Sequence, residues 1–202
     1  MDVLVFARHW APGAVKTRLC PPLTTPQATA VYLACLDTLL SRLGAHPALA
    51  VTIAYEPEPA RPAFAARYPQ VELTPQRGDE LGEKLRRLVG SRVTPCLITG
   101  SDCPTVPLAY YAQAIAAFCQ GADVVLGPTE DGGSYLLGAR PACADWFTDI
   151  PWSTAHVAAA LRARAAEQGW QLVELPPWYD VDTIQDVLRF VADLPPAGDL
   201  ST

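Results

Sequence analysis

Residues 2–19 read DVLVFARHWAPGAVKTRL, an apolar run followed by a loop with basic residues. The run DVLVFA is rich in β-branched and aromatic side chains, which predicts a buried first strand. The loop after it carries Gly13, Lys16 and Arg18. In open α/β sheets, loops at the carboxyl ends of parallel strands bind ligands. This stretch therefore predicts the first strand of an α/β sheet with a binding loop at its end.

The rest of the chain alternates between short apolar runs and longer segments with helical periodicity. A first crossover helix is predicted over 28–43, with Thr25 as N-cap and Pro26 in its first turn. Further strands are predicted at 50–55, 71–73, 96–99, 123–126, 135–138 and 171–174, and helices at 79–89, 107–119, 154–168 and 183–194. Such alternation implies right-handed crossovers. We expect one α/β domain over 1–202 with a mostly parallel, doubly wound sheet.

The composition limits the classes of partner. The chain has 202 residues, 50% of them hydrophobic, and a net charge of -6, so neither nucleic acid nor an anionic membrane surface is an expected partner. No membrane span and no export signal are visible, which makes the cytoplasm the expected location. The six cysteines form no C-x-x-C pair, and the three histidines have no zinc-ligand spacing, so both sets are expected to be structural or exposed.

The loop after the first strand is suited to phosphate binding. Gly13 permits a close backbone approach, while Lys16 and Arg18 can neutralise a diphosphate. The loop matches neither the Walker pattern nor the Rossmann glycine pattern. A solvated basic loop is the alternative interpretation.

One acidic side chain follows a second buried strand in CLITGSDCP, residues 96–104. A carboxylate just past a buried strand is poorly solvated unless it meets a cation, so Asp102 is a candidate ligand for a hard metal ion. The alternative is that Asp102 or Ser101 caps the helix beginning near residue 107.

Two further acidic segments lie in the second half. In GPTEDGGSYLLG, residues 127–138, a turn with Glu130 and Asp131 is expected to be flexible because of Gly132 and Gly133, and the alternative is a plain hairpin turn. In WYDVDTIQD, residues 178–186, Asp180 and Asp182 precede the last helix. Capping by Thr183, Asp182 and Asp186 explains part of this pattern and leaves one of Asp180 and Asp182 free to bind metal.

These motifs, in this order, resemble a family of small bacterial proteins described as glycosyltransferases of the type-A fold, related to the molybdenum-cofactor and phospholactate guanylyltransferases. The residues that carry the resemblance are FAR (6–8), PG (12–13), VKTRL (15–19), GSDCP (100–104), DGG (131–133), YLLG (135–138), PWST (151–154) and DVDT (180–183). Ser134 departs from the pattern, since relatives often carry an aromatic residue there. The resemblance implies a nucleotide-diphospho-sugar transferase sheet.

From the resemblance we expect a nucleotide-binding half at about 1–126 and an acceptor-site half at about 127–195. Nucleotide binding is assigned to Ala7, Arg8, Gly13, Lys16, Arg18 and Ser101. The acceptor would contact Glu130, Gly132, Gly133 and Trp152, the last of which is alternatively a core residue. Asp102 and Asp182 would hold Mg²⁺ or Mn²⁺, with Asp102 and Asp131 as catalytic residues.

The working hypothesis is metal-dependent transfer of a glycosyl group from a nucleotide-diphosphate sugar to a small-molecule acceptor. The first alternative is nucleotidyl transfer from a nucleoside triphosphate with release of pyrophosphate. The second is a non-catalytic nucleotide-binding or scaffold protein. The sequence leaves homo-oligomerisation open.

Overall fold

Seven strands form one sheet in the computed structural model, which describes residues 1–194. The strands are β1 (Asp2–Arg8), β2 (Ala50–Glu56), β3 (Glu72–Pro75), β4 (Cys96–Gly100), β5 (Val124–Pro128), β6 (Ser134–Ala139) and β7 (Leu172–Glu174). The helices are α1 (Thr25–Gly44), α2 (Arg61–Arg67), α3 (Leu81–Gly90), α4 (Leu108–Cys119), α5 (Val157–Glu167) and α6 (Ile184–Asp193). The structure thus covers the predicted domain of residues 1–202 apart from residues 195–202.

The sheet order is β3-β2-β1-β4-β6-β5-β7, and every pairing except those of β6 is parallel. Strand β6 is antiparallel because the short turn 129–133 returns the chain directly, whereas a parallel connection needs a longer crossover. The predicted mostly parallel, doubly wound α/β fold is confirmed.

Side chains of β1 alternate between two cores, one on each face of the sheet. Val3 and Val5 pack with residues of α1, α2 and α4, while Leu4 packs with residues of α3 and α5. Both cores are closed by fully buried aromatic rings, such as Phe64 on one face and Trp146 on the other. Since both faces are covered, the strands carry the nearly continuous apolar runs seen in the sequence.

Several predicted boundaries were wrong by a few residues. The N-cap of α1 is Thr24, whose backbone N–H donates to Gln27 Oε1 at 2.8 Å in a capping box, and not Thr25. Helix α2 was not predicted because it has only seven residues and one fully buried side chain, Phe64. Helix α5 starts at Val157, three residues later than predicted, because the preceding residues form turns.

The cap of the last helix was predicted only in part. Thr183 is the N-cap of α6 and bonds reciprocally with Asp186, so neither Asp180 nor Asp182 is needed as the cap. All six cysteines are free. None of the helices within 1–194 has the length and hydropathy that crossing a membrane requires.

The topology creates one position where ligands are expected. From β1 the chain moves outward through β2 and β3, and then returns to place β4 on the other side of β1. The carboxyl ends of β1 and β4 are in register, with Phe6 beside Gly100. The loops that follow these strands therefore diverge at a topological switch point, where open α/β sheets bind their ligands.

Candidate functional site

Lys16 occupies the centre of the switch point. Its backbone is left-handed, with φ 50° and ψ 36°, and its side chain is only 4% exposed. The ammonium lies 2.6 Å from Asp102 Oδ1 and 3.1 Å from Asp182 Oδ1, and it donates to the carbonyl oxygen of Val181 at 2.6 Å. Two acidic residues that are 80 positions apart in the sequence are thus joined by one buried cation.

The charges around Lys16 keep it protonated. Burial alone would lower the Lys16 pKa, but the charge of Asp102, the hydrogen bond to it and the charge of Asp182 together raise the pKa above its usual value. A buried ammonium is tolerated only when it is paired and hydrogen-bonded. The two aspartates meet that condition here.

A backbone hydrogen bond joins the two segments that carry Asp102 and Asp182. The N–H of Val181 donates to the carbonyl oxygen of Asp102 at 2.8 Å, which ties the segment before α6 to the loop after β4. Arg18 reaches Asp182 Oδ2 at 2.9 Å with a side chain that is 77% exposed. Arg18 can therefore exchange its exposed ion pair for a ligand at little cost in free energy. Moving Lys16 would instead remove the counter-charge of both Asp102 and Asp182.

The loop after β1 is fixed at its start by helix α1. The Tyr32 hydroxyl accepts a hydrogen bond from the Arg8 N–H at 2.8 Å and donates to the Arg8 carbonyl oxygen at 2.9 Å. Arg8 and Lys84 both contact the carboxylate of Glu56, whose pKa is lowered because these two cations outweigh its burial. Gly13 has a φ of +78°, a backbone conformation that favours glycine.

The acidic turn between β5 and β6 is held by hydrogen bonds and close packing, which the interpretation of a flexible turn did not anticipate. Asp131 Oδ1 accepts hydrogen bonds from Thr129 Oγ1 at 2.5 Å and from the Gly133 N–H at 3.0 Å. Gly132 has a φ of +91°, and a Cβ there would lie 2.2 Å from the carbonyl oxygen of Ala155. The glycine is needed for close packing and backbone conformation, since its backbone is pressed against the segment before α5.

The two acidic side chains of this turn serve different purposes. The Asp131 pKa is lowered by the Thr129 hydrogen bond and, despite partial burial, by the Gly133 N–H, so Asp131 stays a carboxylate. Glu130 instead pairs with Arg189 of α6 at 3.0 Å, and that guanidinium stacks 3.7 Å above the ring of Tyr179. Glu130 thus fastens the turn to α6.

Asp180, like Asp131, forms no ion pair within residues 1–194. No side chain of residues 1–194 makes a hydrogen bond or ion pair with it, although it faces the charges of Asp131, Asp182 and Asp102. Burial, followed by the charges of Asp131 and Asp182, raises the pKa of Asp180 to about 6. The region thus carries more negative charge than its own cations neutralise.

Two cavities meet at these residues and form one cleft. The first lobe, about 830 Å³, lies at the ends of β1 and β2, and the second lobe, about 550 Å³, lies against β4 and β6. Both are lined by Arg18, Asp102, Asp182 and Trp152. A ligand in one lobe would therefore touch a ligand in the other close to Asp102.

The structure brings most of the predicted site residues to this cleft. The first lobe is lined by the predicted nucleotide residues Ala7, Arg8, Lys16, Arg18 and Ser101, whereas Gly13 lies outside the lining. The second lobe is lined by Asp131, Gly133 and Trp152, whereas Glu130 and Gly132 lie outside it. Trp152 packs its indole Nε1 against α3, where a Cβ on Gly82 would be 2.7 Å away.

Sequence reasoning missed several residues of the first lobe. Glu56, Gln76 and Lys84 line it, and Gln76 donates through Nε2 to the carbonyl oxygen of Ala54 at 2.6 Å. A signal existed for Glu56, which ends a buried strand just as Arg8 does. None existed for Lys84, because a lysine on a short amphipathic helix is usually solvated.

Asp102 and Asp182 have the chemistry of a divalent-metal site but do not complete one. Within residues 1–194, no three histidine, cysteine, aspartate or glutamate side chains are arranged to hold an ion. The two carboxylates nevertheless already accommodate a cation, the Lys16 ammonium, between oxygen atoms. Mg²⁺ is commonly held by one or two carboxylates together with substrate phosphates, and this pair fits that pattern.

Comparisons with known proteins identify the family and the fold of this chain. A model of a bacterial family described as "Uncharacterized protein conserved in bacteria (DUF2064)" matches residues 39–154. No curated protein matches the sequence of the chain.

Among solved structures, a protein from Desulfovibrio desulfuricans G20 described as a nucleotide-diphospho-sugar transferase is similar over the whole chain. The two share 27% identity with a TM-score of 0.87, and the match covers 100% of this chain and 90% of the other. The chain therefore has the nucleotide-diphospho-sugar transferase fold.

Two more distant structures share the fold alone. Molybdopterin-guanine dinucleotide biosynthesis protein A from Archaeoglobus fulgidus is 13% identical with a TM-score of 0.65, covering 96% of this chain and 100% of its own. A cytidylyltransferase from Leptospira borgpetersenii serovar Hardjo-bovis is 14% identical with a TM-score of 0.61, covering 92% of this chain and 82% of its own.

Proposed function

This chain belongs to the bacterial family DUF2064, and from that premise we propose that it transfers a glycosyl group from a nucleotide-diphosphate sugar to a small acceptor. The observation that carries the proposal is the two-lobed cleft, whose lobes meet at Arg18, Asp102 and Asp182. A group-transfer enzyme needs two substrates whose reacting atoms lie side by side. In this proposal the first lobe takes the donor and the second lobe takes the acceptor.

The basic residues of the loop after β1 hold the donor diphosphate. The Arg18 side chain is largely exposed, so it can exchange its ion pair with Asp182 for one with a phosphate at little cost in free energy. Lys16 keeps its position and contributes a fixed positive charge beneath the phosphates. This pair offsets the negative charge that grows on the leaving diphosphate.

Asp102 and Asp182 are the residues that would hold a divalent metal. When bound, such an ion supplies charge neutralisation for the leaving diphosphate. The aspartates themselves are prearranged: Val181 fixes the backbone of Asp102, and the N-cap of α6 follows Asp182 directly. Their side chains are 47% and 33% exposed, and both line the cleft.

Asp131 orients the acceptor. Its Oδ1 is committed to Thr129 and Gly133, so the second oxygen can accept a hydrogen bond from an acceptor hydroxyl. Because the turn is locked against Ala155, this oxygen has a fixed position relative to the cleft. A fixed carboxylate of this kind can direct the hydroxyl and remove its proton as the new bond forms.

A thermal-shift panel followed by turnover tests the proposal. Nucleoside diphosphates, triphosphates and nucleotide sugars are compared with and without Mn²⁺, since a ligand that binds only the native protein raises its melting temperature. We expect metal-dependent stabilisation by one nucleotide sugar, and release of its nucleoside diphosphate when acceptors are added.

The alternatives give different results. Stabilisation by one triphosphate alone, with pyrophosphate released, would establish nucleotidyl transfer in place of glycosyl transfer. Binding of a nucleotide with no turnover for any donor would indicate a non-catalytic protein.

A further inference from the structure

The lining of the second lobe restricts the chemistry of the acceptor. On the premise of the proposed function, we infer that the acceptor is a neutral or amine-bearing hydroxyl compound without a phosphate or carboxylate group. The argument uses the charges of the lobe, the demands of the donor and the apolar wall.

The charged groups that line the second lobe are mostly acidic. Four carboxylates line it: Asp102, Asp131, Asp180 and Asp182. Among residues 1–194, the one basic residue of that lining is Arg18, which pairs with Asp182 and which the proposed function assigns to the donor. Recognition of a phosphate or carboxylate depends on arginine, lysine or several N–H donors directed at it. The second lobe offers its ligand the opposite charge.

The donor leaves no spare positive charge for an acidic acceptor. Lys16 contacts Asp102 and Asp182 and lies in the lining of the first lobe. Arg18 is shared by both lobes, so a donor diphosphate competes for it. The positive charge of a divalent cation would be neutralised by the donor diphosphate that it binds. An acidic acceptor would then face Asp131 and Asp180 without a counter-charge.

The remaining lining suits the body of a hydroxyl compound. One wall is apolar and is formed by Leu81, Leu85, Leu137, Val157, Tyr135 and Trp152. Three hydroxyl residues, Thr99, Thr129 and Ser134, also line this lobe. A carboxylate accepts hydrogen bonds from hydroxyl and ammonium groups, and an apolar wall covers the C–H face of a ring. Neutral and amine-bearing molecules satisfy both surfaces.

Matched probes test the inference by saturation-transfer NMR on the whole protein. Two scaffolds are used, each with hydroxyl, amine, phosphate and carboxylate members. The first set is glucose, glucosamine, glucose 6-phosphate and glucuronic acid. The second is benzyl alcohol, benzylamine, benzyl phosphate and phenylacetate. We expect the neutral or amine member of at least one set to bind at least about tenfold better than its acidic members.

A charge introduced in the lobe localises the effect. Ser134 lines the second lobe, so Ser134→Lys should raise the affinity for the phosphate members by about tenfold, while Ser134→Gln should not. Equal or better binding of the acidic members by the native protein would overturn the inference, and so would a failure of every neutral and amine member to bind.

Failure of the inference is distinguishable from failure of the proposed function. If a nucleotide sugar is bound and consumed while acidic acceptors are preferred, only the acceptor chemistry is wrong. If no nucleotide sugar binds, the proposed function itself fails, whatever the probes do.

Discussion

The loop after β1 and the turn after β5 use similar residues in opposite ways. Both contain glycine and charged side chains at the carboxyl end of a buried strand. In the first, the charge of Lys16 is turned inward and buried between two aspartates. In the second, Glu130 points outward to Arg189, and of the two acidic side chains of the turn only Asp131 lines the cleft.

The comparison separates two kinds of contact, which are the ion pairs of a buried charge in the first segment and the packing of a glycine backbone in the second. Lys16 makes contacts with Asp102 and Asp182, which both line the two lobes, so in the proposed function it positions charge beside the ligands. Gly132 makes a contact that matters to the scaffold because its backbone packs on Ala155. Substitutions of Lys16 and of Gly132 should therefore separate into a loss of ligand binding and a loss of stability.

The largest expected effect is on activity, at the aspartate that holds Lys16. Asp102→Asn should lower turnover by about 100- to 1000-fold, because a preorganised charge at the reacting centre is lost. The fold should be retained, since Lys16 keeps Asp182 and the Val181 carbonyl oxygen as partners. Steady-state kinetics and a melting curve measure the two effects, with Asp145→Asn, which changes an exposed carboxylate paired with Arg86, as control. Near-normal turnover at saturating metal would show that Asp102 has no catalytic role.

The next effect is on stability, at the turn after β5. Gly132→Ala should destabilise the protein by on the order of 3 kcal/mol, because the new Cβ both strains the backbone and meets Ala155. Gly169→Ala is the matched control: Gly169 also has a positive φ, of +68°, but nothing lies within 4 Å of its Cβ position, so only about 1 kcal/mol should be lost. Urea unfolding compares them, and equal losses would mean that the close contact with Ala155 does not matter.

A smaller effect is expected on ligand binding at the first lobe. Lys16→Ala should weaken nucleotide binding by about 10- to 100-fold, the usual worth of one charged hydrogen bond. Calorimetry with the nucleotide found in the thermal-shift panel measures this, and Arg86→Ala, on the exposed surface, should leave the affinity unchanged. If the Lys16 variant binds as tightly as the native protein, the loop after β1 does not hold the phosphates.

The smallest effect is expected at the outward side chain of the acidic turn. The Glu130–Arg189 pair is about half exposed, with side chains 55% and 44% accessible, so a double-mutant cycle should give a coupling below about 1 kcal/mol. Glu130→Gln should change turnover by less than about threefold, whereas Asp131→Asn should reduce it by at least about tenfold. Equal losses of activity from both would indicate that Glu130 also contacts the acceptor.

The fold could be predicted because its determinants are local. The apolar run 2–7 and the alternation of strands and helices follow from side-chain periodicity, which a sequence displays directly. The N-cap of α6 was visible for the same reason, since Thr183 and Asp186 are close in sequence. The placement of β6 between β4 and β5 was not visible, because pairing partners of a strand are chosen by contacts distant along the chain.

The sequence by itself determined the strand–helix order, the set of charged residues after the strands and the absence of Walker and Rossmann loops. Only the tertiary structure decided which charges meet. Lys16, Asp102 and Asp182 come from three loops, and the sheet register and the Val181 hydrogen bond bring them together. The tertiary structure also decided that the Gly132 backbone packs on Ala155 and that Asp180 forms no ion pair within residues 1–194. Burial and opposing charge depend on neighbours that sequence spacing does not reveal.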